Sequence, residues 1–206
     1  MRIGVLALQG DVQEHLDALL RCGAEAELVR LPDELDAVDG LVVPGGESTT
    51  MSHLIRGFDL EEPLRRRVEG GMPCLATCAG LILLSRSIRD GRPGQLALGV
   101  FDVGVRRNAY GRQVASFEAD LEVPALAGEP FPGVFIRAPQ IAEHGPDVEI
   151  LATHEGEPVA IARGARIGLS FHPELSGDDR LHRLFLERAQ GSLGCDDGSG
   201  AVGTAA

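Results

Sequence analysis

The sequence lacks a surplus of positive charge: its 206 residues include 19 Lys and Arg against 31 Asp and Glu, a formal net charge of −12 at pH 7. Because a protein that binds a phosphate backbone presents a basic surface, this balance argues against a nucleic-acid partner. The sequence also lacks any apolar run near the roughly 18 residues that a membrane-spanning helix requires. Its apolar segment at 2–8 is too short for a signal peptide and is followed by polar residues without a cleavage pattern. We therefore expect a cytoplasmic protein with no membrane partner.

Cysteine is sparse, and its spacing fits neither a disulfide framework nor a zinc site. Cys74 and Cys78 lie four positions apart instead of forming a C-x-x-C pair, and no second cluster of Cys or His lies near them in the sequence. We expect reduced thiols and no bound metal. Cys22 and Cys74 are most simply core residues, and Cys195 falls in a segment that we expect to be a tail.

The sequence does contain an alternation of short apolar runs with amphipathic stretches, which predicts an α/β fold. In the first half, strands are predicted at 2–8, 26–30, 40–43 and 73–77, and helices at 11–22, 48–56, 60–69 and 79–87. In the second half, closely spaced strands are predicted at 98–106, 113–121, 131–137, 149–153, 158–163 and 166–170, before a helix at 178–190. These patterns predict one domain over residues 1–190, an open, mixed, mostly parallel sheet flanked by helices with an antiparallel extension. Residues 191–206 are rich in Gly, Ser and Ala and are predicted to be a flexible tail.

Cys78 stands where a buried strand meets the next helix. Ala76, Ala79 and Gly80 around it are small, as a sharp strand-to-helix turn requires. This is the cysteine version of a nucleophile elbow, in which backbone N–H groups at the start of the helix stabilise a thiolate. A buried structural cysteine is the alternative reading of this segment alone.

His172 and Glu174 follow the last predicted strand in the sequence Ser170-Phe-His-Pro-Glu174. Two residues apart in an extended chain, their side chains would point to the same side, and Pro173 favours that geometry at His172. A carboxylate beside an imidazole fixes its tautomer, so a Cys-His-Glu triad with Cys78 is plausible. A polar cap on a strand is the alternative. The remaining histidines, at 15, 53, 144, 154 and 182, are expected to be surface residues.

The segment Pro44-Gly-Gly-Glu-Ser-Thr-Thr50 ends one strand and opens a helix. It lacks the Gly-Lys-Ser/Thr portion of a Walker A loop, so a nucleotide phosphate site is not supported. An oxyanion hole built from the N–H groups of Gly46 and Ala79 fits better, with a plain capped turn as the alternative. Arg107 and Arg137 could form a fork for a carboxylate, or be solvated turn charges.

Three of these motifs together resemble those of class I, triad-type glutamine amidotransferases: PGGES at 44–48, TCAGL at 77–81 and SFHPE at 170–174. Five segments resemble one branch of that family, the glutaminase subunits of pyridoxal 5′-phosphate synthase: LQGDVQEH at 8–15, PGGESTTM at 44–51, RNAYGRQ at 107–113, SFEADL at 116–121 and FIRAP at 135–139. The resemblance spans residue 3 to about 189. The family usually has Gly where this chain has Ala76. Since that position needs only a small side chain, we expect activity to survive.

The resemblance implies a flavodoxin-like sheet and an enzyme that hydrolyses L-glutamine to L-glutamate and ammonia. The ammonia would pass to a separate (β/α)8-barrel synthase subunit within a large hetero-oligomer. Cys78 would be the nucleophile that forms a γ-glutamyl thioester, His172 the general acid and base, and Glu174 its orienting carboxylate. No metal or organic cofactor is implied, because pyridoxal 5′-phosphate is made on the partner.

The resemblance also implies a glutamine pocket formed by Gly46, Glu47, Ser48, Arg107, Ile136 and Arg137. Gln9 would lie at the synthase interface beside the oxyanion hole, which would form fully only when the synthase docks.

Three other functions fit parts of the sequence. A class I glutaminase serving another acceptor, such as the imidazole glycerol phosphate pathway, is disfavoured by the segments at 107–113 and 135–139. A non-catalytic glutamine-binding scaffold subunit would not need an elbow thiol. A cysteine hydrolase or chaperone of related topology is a poor fit to a separate His-Pro-Glu near the end of the chain.

Overall fold

A seven-stranded sheet forms the centre of the protein. The structure, a computed structural model, describes residues 1–107 and 116–196, without the side chains of 195 and 196. The strands of this sheet are β1 (Arg2–Leu6), β2 (Glu25–Val29), β3 (Gly40–Val43), β4 (Cys74–Thr77), β10 (Glu149–His154), β11 (Glu157–Arg163) and β12 (Arg166–Leu169). Their order is β10-β11-β12-β4-β3-β1-β2. The five strands from β12 to β2 are parallel, and β11 and β10 extend the sheet antiparallel. The predicted fold class is confirmed.

Helices cover both faces of the central sheet. They are α1 (Val12–Arg21), α2 (Pro32–Asp36), α3 (Ser48–Gly57), α4 (Glu61–Glu69), α5 (Ala79–Leu84) and α6 (Arg180–Asp196). Because side chains alternate along a strand, Cys74 and Ala76 of β4 join the core beneath α3, α4 and α5, whereas Leu75 joins the core beneath α1 and α6. A strand that is buried on both faces is a continuous apolar run in the sequence, and for this reason the sequence predicts these strands.

The remaining strands form two smaller sheets: β5 (Ser85–Ile88), β6 (Phe101–Arg106) and β9 (Gln140–His144) form one, and β7 (Ser116–Leu121) and β8 (Phe131–Ile136) the other. The predicted helix at 79–87 is wrong beyond residue 84, because residues 85–88 form β5. The Leu98 and Gly99 N–H groups donate to the Leu83 and Ser85 carbonyls, at 2.7 and 2.9 Å. These bonds use acceptors near the end of the helix and stop it. Strand β9 and helix α2 were not predicted, and residues 113–115 of one predicted strand lie outside the described residues.

Helix α6 continues to Asp196, six residues beyond its predicted end. The rest of the predicted tail, 197–206, lies outside the described residues. No helix within residues 1–107 and 116–196 is long and apolar enough to cross a membrane.

Candidate active site

Cys78 occupies a sharp turn between β4 and α5. Its backbone has φ 46° and ψ −101°, a conformation that a residue with a side chain rarely adopts. Gly80 allows the turn to approach β3, because a Cβ there would lie 2.1 Å from the Val43 carbonyl oxygen. The Cys78 N–H donates to the Leu169 carbonyl of β12 at 2.8 Å. The elbow is therefore held by strands on both sides, at the carboxyl edge of the parallel strands.

His172 and Glu174 follow β12 at the same edge. His172 Nδ1 lies 2.8 Å from Glu174 Oε1. The prediction that extended backbone joins them is wrong, because Pro173–Leu175 form a single 3₁₀ turn that brings the carboxylate back beneath the ring. The His172 N–H donates to the Val134 carbonyl of β8 at 2.8 Å and anchors the segment.

The ionisation of the site follows from these contacts. Burial alone would lower the pKa of His172, but hydrogen bonds with Asp11, Cys78 and Glu174 outweigh it and raise that pKa well above its ordinary value. Burial would raise the pKa of Glu174, and its neighbours His15 and His172 lower it instead. The site therefore favours an imidazolium beside an ionised carboxylate, with the Cys78 thiol within hydrogen-bonding reach of the ring.

Asp11 is a second carboxylate at His172 that sequence reasoning missed. Its Oδ2 lies 3.2 Å from His172 Nδ1, the nitrogen that also contacts Glu174. One ligand atom each from Asp11, His172 and Glu174 lies within 4.8 Å of the others, a spacing that a metal ion could use. An ion there would displace the proton that links Nδ1 to its carboxylates. These groups form a hydrogen-bonded cluster at Nδ1, and its shortest contact joins His172 to Glu174 at 2.8 Å.

A cleft of about 420 Å³ opens beside Cys78 and His172. It is lined by every residue that the sequence assigns to substrate binding: Gly46, Glu47, Ser48, Arg107, Ile136 and Arg137. Ile136 also offers its carbonyl oxygen to the Cys78 Sγ at 3.8 Å. Ala79 lies under the elbow as the buried first residue of α5. The remainder of the motif at 107–113, residues 108–113, lies outside the described residues.

Gln9 lies in the loop after β1 and contacts the glycine segment after β3. Its Oε1 accepts the Glu47 N–H at 2.7 Å. Gly46, at φ 141°, leaves room for this contact, because a Cβ there would lie 2.5 Å from the same oxygen. Gln9 thus holds the loop that carries the predicted oxyanion N–H.

Glu47 is engaged at the start of α3. Its carboxylate accepts the Thr49 N–H at 3.2 Å and the Thr50 N–H at 2.7 Å. Burial would raise its pKa, but hydrogen bonds from Thr50 and Thr49 outweigh it and lower the pKa to about 2. Glu47 therefore stays anionic and caps the helix, with Arg107 Nη2 3.7 Å from its Oε1.

Gln95 joins two walls of the cleft and was also missed. Its Oε1 accepts from Arg107 Nη1 at 3.0 Å, and its Nε2 donates to Ser48 Oγ at 2.6 Å. Arg92 lines the cleft as well, and its N–H donates to Gln95 Oε1 at 3.1 Å. Both lie in a polar loop in which no local pattern distinguishes them.

The expectation that all other histidines lie at the surface is wrong for two of them. His15 on α1 and His182 on α6 are both fully buried. His15 Nδ1 lies 3.0 Å from His182 Nε2, and His15 Nε2 lies 3.3 Å from Glu174 Oε2. A buried pair of histidines thus lies directly behind Glu174.

Comparisons with known proteins show the family to which the chain belongs. A model of the SNO glutamine amidotransferase family matches residues 5–190. The pyridoxal 5′-phosphate synthase subunit PdxT of Parafrankia sp. (strain EAN1pec) is 55% identical over 197 residues, which cover 96% of this chain and 97% of the relative. PdxT of Thermotoga maritima is 53% identical over 187 residues, 91% of this chain and 98% of the relative.

Solved structures share the architecture. A crystal structure of a glutamine amidotransferase, 51% identical, has a TM-score of 0.85 and covers 91% of this chain and 98% of its own. The structure of PurLQS from Thermotoga maritima has a TM-score of 0.67 at 17% identity, with 93% of this chain and 98% of the matched chain covered, and shows a common fold.

Proposed function

Since this chain belongs to the SNO glutamine amidotransferase family, we propose that it hydrolyses glutamine through a Cys78-His172-Glu174 triad and a γ-glutamyl thioester. The observation that carries the proposal is a cysteine at a strained elbow within reach of an imidazole whose Nδ1 is bound to a buried carboxylate at 2.8 Å. A thiol, a base and an orienting group in this order are what nucleophilic amide hydrolysis requires.

In the first half of the reaction, the Cys78 thiolate attacks the side-chain amide carbon of glutamine. The N–H groups of Gly46 and Ala79 stabilise the oxyanion of the tetrahedral intermediate. The His172 imidazolium then gives its proton to the amide nitrogen, the C–N bond breaks, and ammonia leaves. The product is a thioester between Cys78 and the γ-carboxyl carbon.

In the second half, neutral His172 takes a proton from water, and the hydroxide attacks the thioester carbon. The C–S bond breaks, glutamate leaves, and the thiolate–imidazolium pair is restored. Glu174 stays ionised and holds Nδ1–H throughout, so that the other ring nitrogen faces the reacting groups.

The cleft supports glutamine as the substrate. Its volume of about 420 Å³ is sufficient for one amino acid. Arg107 and Arg137 are the cations that would receive the α-carboxylate, and Ser48 offers a hydroxyl. Glu47 fixes the start of α3 through its contacts with the Thr49 and Thr50 N–H groups, and Gln95 holds Arg107.

We further propose that the ammonia goes to the (β/α)8-barrel subunit of pyridoxal 5′-phosphate synthase, since PdxT relatives bear the name of that synthase. Gln9 would lie at that interface. Its hydrogen bond to the Glu47 N–H ties the half-buried loop after β1 to the proposed oxyanion segment. Docking at this loop could therefore complete the oxyanion hole, and the chain alone should be a poor glutaminase.

The test is ammonia release from glutamine, measured for the chain alone and with the barrel subunit. Wild type should be active only with the partner. Cys78→Ala should be inactive while still binding the synthase. The matched control is Cys74→Ala, because Cys74 is fully buried four residues upstream and burial raises the pKa of its thiol to about 12. That variant should keep most of its activity. Full activity in Cys78→Ala would overturn the mechanism, and rapid hydrolysis by the chain alone would overturn the role of docking.

A further inference from the structure

A buried polar network continues from the triad into the core. His15 lies on α1, Thr77 at the end of β4 and His182 on α6, and all three are fully buried. His15 is central: its Nε2 lies 3.2 Å from Thr77 Oγ1 and its Nδ1 lies 3.0 Å from His182 Nε2. Polar side chains in such a place are expensive unless each finds a partner.

The carboxylate of Glu174 connects His172 to this network. Oε1 faces His172 Nδ1 at 2.8 Å. Oε2 is buried and makes no regular hydrogen bond to any residue that the structure describes, but His15 Nε2 lies 3.3 Å from it. An unsatisfied buried carboxylate oxygen is costly, so the donor nearest to it is the group that can hold it.

The tautomers of His15 and His182 follow from the surroundings of His182, which lies at the far end of the network from Glu174. Burial lowers the pKa of His182 to about 3, so this ring is neutral. Its Nδ1 is buried without a partner among the described residues. A bare lone pair is the less costly state for such a nitrogen, so the proton of His182 lies on Nε2. That N–H donates to His15 Nδ1, which leaves the proton of His15 on Nε2, toward Glu174.

We propose that His15 is a positioning residue, whose Nε2–H holds Glu174 Oε2 so that Oε1 stays aligned on His172 Nδ1. The other groups that face this chain of contacts are Thr77 at His15, Asp11 at His172, and Asp179 and Arg21 near His182. The activity readout below rests on the proposed glutaminase function, and two further readouts do not.

Two amide substitutions separate the contacts of His15. The amide nitrogen of Gln can occupy the place of Nε2, so His15→Gln keeps a donor for Glu174. Asn reaches only the place of Nδ1, so His15→Asn keeps a contact with His182 and loses the one with Glu174. With the barrel subunit present, His15→Asn should lower kcat about tenfold with KM for glutamine within about twofold, and His15→Gln should recover most of the loss. The control is His144→Asn, the same change at an exposed ring. Equal activities of the Asn and Gln variants, or a loss in KM alone, would overturn the proposal.

Alkylation of Cys78 tests the same alignment without glutamine or a partner. Iodoacetamide labelling, resolved by peptide mass spectrometry, should show that the pH midpoint of Cys78 labelling moves upward in His15→Asn, with a rate at pH 6 reduced about threefold or more. His15→Gln should stay near wild type. Cys74, which is fully buried, reports integrity, because it should stay unlabelled in every folded variant. An unchanged Cys78 profile in folded His15→Asn would contradict the proposal.

A measurement on wild type is independent of whether a variant folds. NMR of the chain with ¹⁵N-labelled histidine should find the proton of His15 on Nε2. A ring protonated on Nδ1 alone would overturn the proposal. If wild type with its partner released no ammonia, the proposed function would fail, while alkylation and NMR would still decide the role of His15.

Discussion

The side-chain amide of Gln95 donates to the Ser48 hydroxyl at 2.6 Å and accepts from Arg107 at 3.0 Å. The loop before β6 is thereby tied to the start of α3 and to the end of β6, and Gln95 joins the two walls of the cleft that these segments form. The position of the Arg107 guanidinium depends on this amide, because its contact with the Glu47 carboxylate is longer, at 3.7 Å.

Gln95→Ala should therefore raise KM for glutamine about fivefold with little change in kcat, as expected for the loss of about 1 kcal/mol of hydrogen bonding. Steady-state ammonia release with the barrel subunit measures both constants. Gln190→Ala, at an exposed position on α6, is the control. A fall in kcat with constant KM would show that Gln95 acts on the chemistry instead.

Gly80→Ala should disrupt the elbow. The new methyl group would lie 2.1 Å from the Val43 carbonyl oxygen, which belongs to a central strand and cannot move aside alone. We expect a loss of about 1–3 kcal/mol in the free energy of unfolding and a larger loss of activity. Gly57→Ala, at the end of α3, meets no atom within 4 Å and should leave stability unchanged or raised by up to about 1 kcal/mol. Denaturant titration and ammonia release measure the two effects, and equal behaviour of the variants would refute this account of Gly80.

Stability should fall on mild acidification because of His182. This ring stays neutral in the fold down to a pKa of about 3, whereas the unfolded chain binds a proton near the ordinary value of 6.5. The unfolded state therefore holds more protons below pH 6.5, and stability decreases as the pH falls toward 3. From pH 6.5 to 5 this amounts to roughly 1.5 kcal/mol.

His182→Gln should flatten that dependence, as urea titrations at several pH values would show. The fold raises the pKa of His172, so the stability that this group contributes is lost above pH 6.5. The fold lowers the pKa of Glu174, so the contribution of that group is lost below the ordinary pKa of 4.5. Both effects lie mainly outside the range from pH 6.5 to 5, and wild type and His182→Gln share them. His144→Gln should keep the wild-type slope. Parallel profiles for wild type and His182→Gln would mean that the His182 ring takes up a proton in the fold.

The sequence predicts the parallel half of the fold well, because each strand carries its own signal. Residues 40–43 and 73–77 are apolar on both faces, and the predicted bounds differ from β3 and β4 by at most one residue. The failures depend on distant partners. Ser85–Ile88 continues an apolar helical pattern and becomes a strand because it pairs with β6, while the segment at 98–99 takes carbonyls at the helix end.

The site residues also divide into those with a local sequence signal and those that depend on distant partners. The sequence predicts Cys78, His172 and the Pro44–Ser48 segment as site residues because each lies at a turn with a recognisable local motif. His15 and His182 lie 167 positions apart, and their burial arises only when α1 and α6 pack on the same face of the sheet. Gln95 likewise gains its role from Ser48 and Arg107, which no local pattern of its loop could indicate.

The backbone of Cys78 has one more consequence. A side chain held at φ 46° and ψ −101° costs of order 1–3 kcal/mol, and glycine would carry no such penalty. Cys78→Gly should therefore be inactive yet unfold at a higher temperature than Cys78→Ala, which keeps a Cβ in the same conformation. At this residue, the proposed role as nucleophile and the stability of the fold therefore place opposite demands on the side chain.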